Sequence, residues 1–481
     1  MASLSRRQFM ASAAAASAAM SFPSASKAGM AIDDVNIGFI SCGSRAGGHM
    51  GAFSGIDGVN IAALCDPDEG RLGKAQTRFS GAKGYSDLRN LIADKSVDAV
   101  VVATTNHWHC LASIWAMEEG KDVYVEKPLS HSQWEGQQTV NAARKYNRIC
   151  QVGTQQRSDP MQAEIKKFLH EEKALGEIKT ARVNRFGVRG PIGRRDTPLE
   201  IDSSVDYDLW LGPAQDQPIF RDKLQYDWHW DFNTGSGEMG NWGVHVLDDL
   251  RNNVFQDKVR LPTRIFGGGG RVAWDDAGNT PNVHFVYFDT GSIPTVIALT
   301  NLTGGGDSRK SPKHQGPGSG YIAYCEGGRF EGQRGRGAAF DSDGRKIREF
   351  KGGAQNRHQK NFIDAVRSRN VTSLNTDVEM GHLSTGWCNL ANIAFRTGKP
   401  FTRRDAAQVD GDSGIWQSIV TEMEAHLSAH NVKLESDDIR LSPMLSIDPA
   451  TEMFVGENAG VANGFLKREY RKPYEVPEVT V

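Results

Sequence analysis

The sequence predicts an α/β domain with a parallel sheet, followed by an α+β domain with a large, mostly antiparallel open sheet. Between Val35 and Gly153, short apolar runs alternate with helix-compatible stretches, as in parallel sheets connected by helices. Beyond about Asp159 the alternation stops, and the chain becomes rich in tryptophan, glycine and longer polar loops. The predicted parts are a leader, the α/β domain, the α+β domain and a C-terminal helix with an irregular extension, over residues 1–31, 32–157, 158–402 and 403–481.

A glycine-rich turn follows the first predicted strand. The apolar run 35–40 leads into the segment SCGSRAGG at 41–48, and a helix-compatible stretch begins near His49. This is the order that a Rossmann pyrophosphate site requires, because backbone N–H groups and the helix N-terminus then face the phosphates. The match to GxGxxG is imperfect, since Ser41 replaces the first glycine and Ala46 the third. The turn residues expected to bind the cofactor are Gly43, Ser44 and Arg45.

Asp66 strengthens the prediction of a dinucleotide site. A second strand, 59–64, places this carboxylate roughly twenty residues beyond the glycine turn. A carboxylate there accepts hydrogen bonds from the adenosine ribose hydroxyls and repels a 2′-phosphate. NAD is therefore favoured over NADP, although Arg71 and Lys74 lie nearby and weaken that preference.

Polar residues follow two further predicted strands, 98–104 and 122–125. The carboxyl ends of parallel strands form one edge of the sheet, where a dinucleotide lies. His107 and His109 resemble a metal-binding pair, but no third ligand of suitable spacing accompanies them, so we predict no metal. They are expected to line the crevice or to pack inside the domain. The predicted cofactor contacts at these strand ends are Thr104, Asn106, His107, His109, Glu126 and Lys127.

A polar stripe is predicted in the second domain, after the glycine-rich segment at 235–237. If a helix begins near Glu238, then Asn241, His245 and Asp248 or its neighbour Asp249 share one face. The alternative is a histidine that is hydrogen-bonded in the domain interior. The flanking glycines favour a stripe that faces a cleft.

The tryptophan-rich stretch before this stripe predicts a sugar-binding surface. Trp230 is the preferred candidate to pack against the C–H face of a sugar, with Asp231 and Arg157 as partners for hydroxyl groups. At least two of the tryptophans at 210, 228, 230 and 242 are expected in the core, and Arg157 is equally suited to stabilising a hinge between the domains. The predicted substrate contacts are Arg157, Trp230, Asp231 and Asp248.

The charge balance and the leader bear on partners and location. Lys and Arg number 56 against 58 Asp and Glu, so no global field attracts nucleic acid or an anionic membrane. Arg6 and Arg7 precede an apolar run at 11–22, which resembles a twin-arginine export signal and falls short of the roughly 20 residues that span a bilayer. We predict a periplasmic or otherwise exported protein, free of the membrane after signal cleavage, that binds its dinucleotide tightly.

Several motifs together resemble the Gfo/Idh/MocA oxidoreductase family, which includes glucose-fructose oxidoreductase and inositol dehydrogenase. They are Gly43, Asp66, the stretch Asn106-His107-Trp108-His109 and especially Glu126-Lys127-Pro128. The resemblance runs from about Val35 to about Phe401. It implies a Rossmann domain followed by an α+β domain with an open sheet, and carbohydrates or cyclitols as substrates.

The resemblance also implies a reacting centre. The family commonly reads Asp-x-Gly-x-His, and its Asp and His act beside the lysine of Glu-Lys-Pro. Lys127 and His245 match, whereas Asn241 stands where Asp is usual, and asparagine cannot take a proton. His245 is the expected base, since an unperturbed imidazole has a pKa of about 6.5, and Lys127 stabilises developing alkoxide charge. Asn241 then positions the substrate.

Three functions follow as hypotheses. The first is an NAD(P)-dependent oxidoreductase with a resident cofactor, which oxidises one sugar and passes the hydride to a second in ping-pong fashion. The second is redox-neutral glycoside cleavage through a keto sugar, with Asp231 and Glu238 as candidates for the proton transfers. The third is a non-catalytic sugar- or nucleotide-binding protein. A wide sheet with an apolar face also predicts a homodimer or a homotetramer.

Overall fold

Six short strands form the parallel sheet of the first domain. The computed structural model describes residues 34–407, 409 and 414–481, so the predicted leader lies outside the described residues. The strand order is β3-β2-β1-β4-β5-β6, with every neighbouring pair parallel. The strands are β1 (Val35–Ile40), β2 (Val59–Cys65), β3 (Lys83–Tyr85), β4 (Ala99–Val102), β5 (Asp122–Val125) and β6 (Cys150–Val152).

Five helices connect these strands. Asp68, Asp87 and Ser132 each accept a backbone hydrogen bond at the start of a helix and thereby satisfy one of its free N–H groups. The helix after the glycine turn begins at Ser44, not near His49, because Gly43 already accepts the first helical bond from Gly47. The helices are α1 (Ser44–Phe53), α2 (Glu69–Arg78), α3 (Leu88–Ala93), α4 (His109–Glu118) and α5 (Gln133–Lys145).

The second sheet contains twelve strands in the described part of the chain. The order β14-β13-β12-β11-β7-β10-β9-β8-β16-β15 is extended by β17 on β8 and by β18 on β17. The β7/β10 pair is parallel, and the other pairs within the described residues are antiparallel. The strands are β7 (Ile178–Phe186), β8 (Arg264–Gly270), β9 (Val283–Asp289), β10 (Thr295–Thr300), β11 (Ser319–Cys325), β12 (Gly328–Gln333), β13 (Arg336–Asp341), β14 (Lys346–Lys351), β15 (Lys399–Pro400), β16 (Arg440–Leu441), β17 (Leu445–Asp448) and β18 (Met453–Val455).

Helices cover both faces of the central strands of this sheet. One face packs against α8 and α10, and the other packs against α12. The apolar face that motivated the predicted subunit pairing is therefore buried within the chain itself. The homodimer or homotetramer stays a prediction. The remaining helices are α6 (Met161–Lys166), α7 (Tyr207–Leu211), α8 (Val244–Asn253), α9 (Arg357–Ser368), α10 (Val378–Thr397), α11 (Arg403–Ala406), α12 (Ile415–Ser428) and α13 (Ala459–Asn463).

The C-terminal extension differs from the predicted irregular tail. Its strands β16 and β17 pair with β8, so the extension widens the second sheet. Tyr474, Val476 and Val479 then pack into the apolar core of the first domain, beside α4 and α5. These strands are two to four residues long, too short for a period of two to be recognised in the sequence. No helix in the described ranges has the length and apolar character to cross a bilayer.

Candidate active site

A cavity of about 300 Å³ opens at the carboxyl edge of the parallel sheet. It extends past the ends of β2, β1, β4 and β5, so that Asp66 and Lys127 lie at its opposite ends. Asn241 contributes to its lining from the second domain. The predicted cofactor residues that line it are Gly43, Ser44, Arg45, Asp66, Thr104, Asn106, His109, Glu126 and Lys127.

The glycine turn has the geometry that a dinucleotide phosphate requires. Ser41, at the position of the first glycine, has a φ of +89°, a left-handed conformation that a non-glycine residue adopts at a cost. Its hydroxyl accepts a hydrogen bond from Gly43 N–H at 3.2 Å, which holds the turn in place. A Cβ on Gly43 would lie 3.0 Å from the Arg71 guanidinium, so a larger residue would crowd the space between the turn and Arg71. No side chain in the described part of the chain caps α1, and its first N–H groups are available to an anion.

Asp66 is fixed at the adenosine end by backbone groups. One carboxylate oxygen accepts from Cys42 N–H at 2.7 Å, and the other accepts from Asp68 N–H at 3.0 Å. Burial raises the pKa of Asp66, against the lowering effect of these two N–H groups. The carboxylate thus couples β2 to the glycine turn, and it lines the cavity where ribose hydroxyls are expected.

Glu126 is the centre of a buried polar network at the wall of the cavity. Its Oε1 accepts hydrogen bonds from Arg45 Nε at 2.9 Å and Gln155 Nε2 at 2.8 Å, and lies 2.7 Å from His49 Nε2. Burial disfavours the charged carboxylate, but Arg45 and His49 outweigh it and hold the pKa of Glu126 well below its usual range. Glu126 therefore holds Arg45 at the mouth of the glycine turn, where its charge favours a phosphate.

Lys127 contacts the second domain directly. Its Nζ donates to the backbone carbonyl of Asn241 at 2.7 Å and lies 3.4 Å from Asn241 Oδ1. Desolvation of the ammonium lowers the pKa of Lys127 to about 8, against the raising effect of Glu126. Asn241 Nδ2 in turn donates to Glu238, a fully buried carboxylate that also accepts from Arg185. Asn241 is thus oriented from both sides.

His245 follows Asn241 by one helical turn and is not itself among the residues that line the cavity. The five residues from Met239 to Gly243 form a wide π turn that leads into α8, and such turns recur at functional sites. Burial and the nearby Lys127 ammonium keep the pKa of His245 well below 6.5, so its imidazole is neutral. Its Nδ1 is buried without a hydrogen-bond partner in the described part of the chain. A neutral ring with a free nitrogen is suited to accept a proton.

A cover segment (residues 204–235) from the second domain closes over the cavity. Trp108 Nε1 donates to the carbonyls of Leu209 and Trp210, both at 3.1 Å. His107 Nδ1 lies 3.1 Å from Thr234 O, and its Nε2 lies 3.2 Å from Trp210 O. His107 therefore holds the cover segment in place and does not line the cavity, which corrects its predicted role as a cofactor contact. The cover residues that line the cavity are Leu209, Trp210, Gln225, Tyr226, Trp228 and His229.

A strap (residues 468–474) from the C-terminal extension holds the cover segment from outside. Arg471 donates to the carbonyls of Gly212 at 2.9 Å and Asp208 at 2.8 Å. Tyr474 donates to the Asp208 carboxylate at 2.9 Å, and its ring packs against Trp108 with 5.5 Å between centroids. No sequence pattern predicts this strap, because it lies beyond the resemblance that ends near Phe401 and forms no periodic element.

Two predicted substrate residues are ion-paired in the interior instead. Arg157 Nε donates to Asp248 at 2.8 Å, and its NH1 donates to Asp257 at 2.7 Å. The side chains of Arg157 and Asp248 are 3% and 1% exposed. The expected substrate contact of both residues is corrected, because their charges are satisfied by each other outside the cavity lining. The hinge role weighed for Arg157 fits this position between the domains.

The other two predicted substrate residues also turn away from the cavity. Trp230 is 4% exposed and packs in the core, whereas its neighbours Trp228 and His229 line the cavity. Asp231 accepts from Arg221 at 3.0 Å and from Asn279 at 3.1 Å. The aromatic side chains of the cover segment that line the cavity are Trp210, Tyr226, Trp228 and His229, whereas Trp230 is one of the core tryptophans.

Two family models match this chain. One describes an oxidoreductase family with an NAD-binding Rossmann fold and matches residues 35–154. The other describes the C-terminal alpha/beta domain of the same family and matches residues 192–413. Together they cover most of the chain and both of the domains that form the cavity.

Individual relatives are similar to this chain in sequence over shorter stretches. Inositol 2-dehydrogenase 2 of Saccharopolyspora erythraea is 36% identical over 137 residues, 28% of this chain and 40% of that protein. A glycosyl hydrolase family 109 protein of Shewanella pealeana is 32% identical over 133 residues, 25% of this chain and 28% of that protein. The matches span two fifths or less of these two relatives.

The solved structures agree in fold. The WlbA dehydrogenase from Bordetella pertussis, in complex with NADH and UDP-GlcNAcA, superimposes with a TM-score of 0.55 at 18% identity, over 75% of this chain and 95% of that one. An oxidoreductase from Agrobacterium radiobacter, in complex with NAD+, L-tartaric acid and magnesium, gives 0.54 at 16% identity, over 74% and 95%. The parallel sheet and the glycine turn agree with the first family model, and the second model matches the domain that follows. The chain therefore belongs to the Gfo/Idh/MocA family of oxidoreductases with an NAD-binding Rossmann fold.

Proposed function

We propose that the protein transfers a hydride between a nicotinamide dinucleotide and a hydroxyl-bearing carbon of a carbohydrate or cyclitol. The observation that carries this proposal is the pairing of Lys127 with Asn241 beside a neutral His245. Because Asp66 and Lys127 lie at opposite ends of the cavity, adenosine at Asp66 directs the nicotinamide towards Lys127. When bound, the dinucleotide supplies the hydride chemistry.

Three side chains have the remaining roles in the proposed reaction. His245 takes the hydroxyl proton of the substrate, since its imidazole is neutral and its Nδ1 has no other described partner. The Lys127 ammonium stabilises the alkoxide charge that develops on the same oxygen. Asn241, held between Lys127 and Glu238, orients the substrate without exchanging a proton.

The two alternative functions have less support. Redox-neutral glycoside cleavage would need further acid-base groups, but Glu238 is fully buried among arginines and Asp231 is paired with Arg221. A non-catalytic binding protein would have no use for a lysine pKa lowered to about 8 beside a neutral histidine. Hydride transfer uses both groups.

Absorbance of the reduced nicotinamide tests the proposal. Purified protein loaded with NAD is mixed with a panel of sugars and cyclitols, and the active substrate is then used with two variants. We expect Lys127→Met and His245→Ala to lower the rate about 100-fold or more, while Lys145→Met, an exposed lysine at the end of α5, keeps the normal rate. Unchanged turnover in either active-site variant would refute the assignment.

NAD, bound tightly, is proposed as the cofactor. The Asp66 carboxylate disfavours a 2′-phosphate, whereas the guanidinium of Arg71 beside Gly43 tempers that preference. The cover segment and its strap support slow release, which leads to ping-pong transfer between two substrates. Dinucleotide extracted from freshly purified protein identifies the cofactor. Recovery of NADP alone, or of no dinucleotide, would contradict this part of the proposal.

Export by the twin-arginine route is a separate part of the proposal. Its support is the Arg6-Arg7 pair before the apolar run at 11–22. Replacing both arginines with lysine keeps the charge and removes the motif. We expect the wild-type chain in the exported fraction and the double variant in the cytoplasm, and equal distribution of the two would refute export by this route.

A further inference from the structure

Arg334 is a cation that has no ionic partner among the described residues and that lies outside the cavity lining, one aromatic ring away from His245. It lies in the two-residue turn between β12 and β13, where Gln333 pairs with Arg336 and Gly335 has a φ of +74°. Its side chain is exposed, and its guanidinium lies 5.5 Å from the centre of the Trp242 ring. Within the described part of the chain, this guanidinium makes no hydrogen bond and no ion pair. The hairpin thus presents a free cation at this position.

Geometry connects this cation to the catalytic residues. The Trp242 ring lies 5.5 Å, between centroids, from the ring of His245. Trp242 directly follows Asn241, whose carbonyl accepts from Lys127. Arg334 is also close enough to lower the pKa of both Lys127 and His245. The positive charge of Arg334 therefore acts on the two residues that are proposed to react with the substrate.

Arg185 also contacts Trp242, but unlike Arg334 it has an ionic partner. The Arg185 guanidinium lies 4.4 Å from the Trp242 ring, but it is neutralised by Glu238, whose Oε1 lies 2.6 Å from its NH2. A cation–π contact at an exposed site is worth only about 0.5–1 kcal/mol. The contact with Trp242 alone therefore offsets only weakly the repulsion between Arg334 and the Lys127 ammonium.

The carboxylates around this centre are already neutralised. Glu126 is paired with Arg45 and His49, and Glu238 is paired with Arg185 and Arg189. Burial raises the pKa of Asp249 well above its usual value and so disfavours its charged form. With asparagine at 241 where the family commonly has aspartate, Lys127 and Arg334 lack the negative charge that a carboxylate there would supply.

We propose that Arg334 binds an anionic group on the substrate, so that the sugar transformed here carries a carboxylate or a phosphate. The planar guanidinium can donate two parallel hydrogen bonds to either group. The anion also compensates the charge of Arg334, which the neutral amide of Asn241 does not do. This inference rests on the proposed function, because it concerns the substrate of the same site.

Binding to cofactor-loaded protein tests the inference without turnover. The protein is loaded with NADH, which cannot oxidise a sugar, and calorimetry compares glucose with glucuronate, galactose with galacturonate, and glucose with glucose 6-phosphate. We expect an acidic member of at least one pair to bind about tenfold more tightly than its neutral partner. Tightest binding of the sugar phosphate would assign the anion as a phosphate, and tightest binding of a uronate would assign it as a carboxylate.

Two variants on the same hairpin make the test specific. Arg334→Gln should remove the preference for the acid, whereas Arg336→Gln, an equal change of charge two residues away, should preserve it. The inference is overturned if no acid binds more tightly than its neutral partner, or if the two variants behave alike. If the preferred acid binds in this test but reduces no nicotinamide when it is added to NAD-loaded protein, Arg334 would remain an anion site and the hydride-transfer proposal would be refuted.

Discussion

The pKa values of Lys127 and His245 are shifted in the same direction, but the two shifts have opposite consequences for charge. Both are lowered first by burial, yet the lysine with a pKa of about 8 stays largely protonated at neutral pH while the histidine is neutral. A cation that stabilises alkoxide and a base that accepts a proton are therefore present together. Lys127 contacts Asn241, and His245 follows Asn241 by one helical turn, so the two groups together define the pH range in which the proposed reaction runs.

The pH profile of sugar oxidation follows from these two groups. Because Lys127 loses its charge as the pH rises through about 8, we expect the single-turnover rate of cofactor reduction to fall above that pH. Because the pKa of His245 is well below 6.5, no loss of rate is expected near pH 6.5. Stopped-flow absorbance across this range measures both limbs. A rate that rises through pH 8 would mean that neutral Lys127 is the base.

Asn241→Asp assigns the alkaline limb to Lys127. The new carboxylate would replace an amide whose oxygen lies 3.4 Å from the ammonium, and an opposite charge at that distance raises a lysine pKa. We expect the fall in rate to move to higher pH by about one unit. A limb that stays in place in this variant would belong to another group.

The sequence predicted some residues of the site and missed others for physical reasons. Lys127 follows a buried strand at a known edge, so its place in the cavity is a local property of the chain. The ion pairs of Arg157 involve Asp248 and Asp257, whose positions depend on how the two domains pack. Trp228 and Trp230 are near neighbours with the same chemistry, and only the packed structure decides which ring faces the cavity.

The cover segment and the strap act as one unit at the scale of elements. The cover segment contributes aromatic side chains to the cavity, and the strap attaches to its outer side through Arg471 and Tyr474. Neither contact lies on the parallel sheet that binds the dinucleotide. We therefore expect these outer hydrogen bonds to affect release of the proposed dinucleotide more than the chemistry.

Arg471→Ala should speed the release of the dinucleotide. The variant loses bonds to two backbone carbonyls and to Asp208, and charge-assisted bonds of this kind are worth about 1.5–3 kcal/mol each. We expect the release rate to rise about tenfold or more. Fluorescence of bound NADH after dilution into excess NAD measures it, and Lys472→Ala, an exposed neighbour, is the control. Equal release from both variants would show that the strap does not hold the cover.

The elements differed in how well the sequence predicted them. Alternating strands and helices from Val35 to Val152 carry a strong local signal, and the six-stranded parallel sheet matches that prediction. The strands of the extension are too short for such a signal, and they form because β8 offers an edge for pairing. The start of α1 was placed several residues late, since two glycines in its first half concealed the helical pattern.

At the scale of the whole molecule, Arg157 joins the two domains. It follows the last strand of the parallel sheet, and its partners Asp248 and Asp257 belong to the second domain. Asp248 also accepts from Ser384 at 2.6 Å, which includes α10 in the network. Loss of the guanidinium would leave Asp248 buried with its charge uncompensated.

Arg157→Leu should therefore destabilise the protein strongly. Removing one partner of a buried ion pair costs about 3–5 kcal/mol, which we expect as the loss in free energy of unfolding by chemical denaturation at saturating dinucleotide. Arg345→Leu, which breaks an exposed pair with Asp341, should change the stability by about 0.5 kcal/mol or less. A loss in the Arg157 variant no larger than that of the control would contradict the structural role.

The way the extension packs on the first domain sets an order of events in biosynthesis. Asn141 in α5 donates to the carbonyl of Val479, a residue 338 positions further along the chain. The α/β domain therefore cannot complete its core while the ribosome is still translating the second domain. If the dinucleotide is bound as tightly as proposed, its capture under the cover segment is a late step, which occurs where the chain is made. If the protein is exported as proposed, each molecule takes with it the dinucleotide captured at its synthesis.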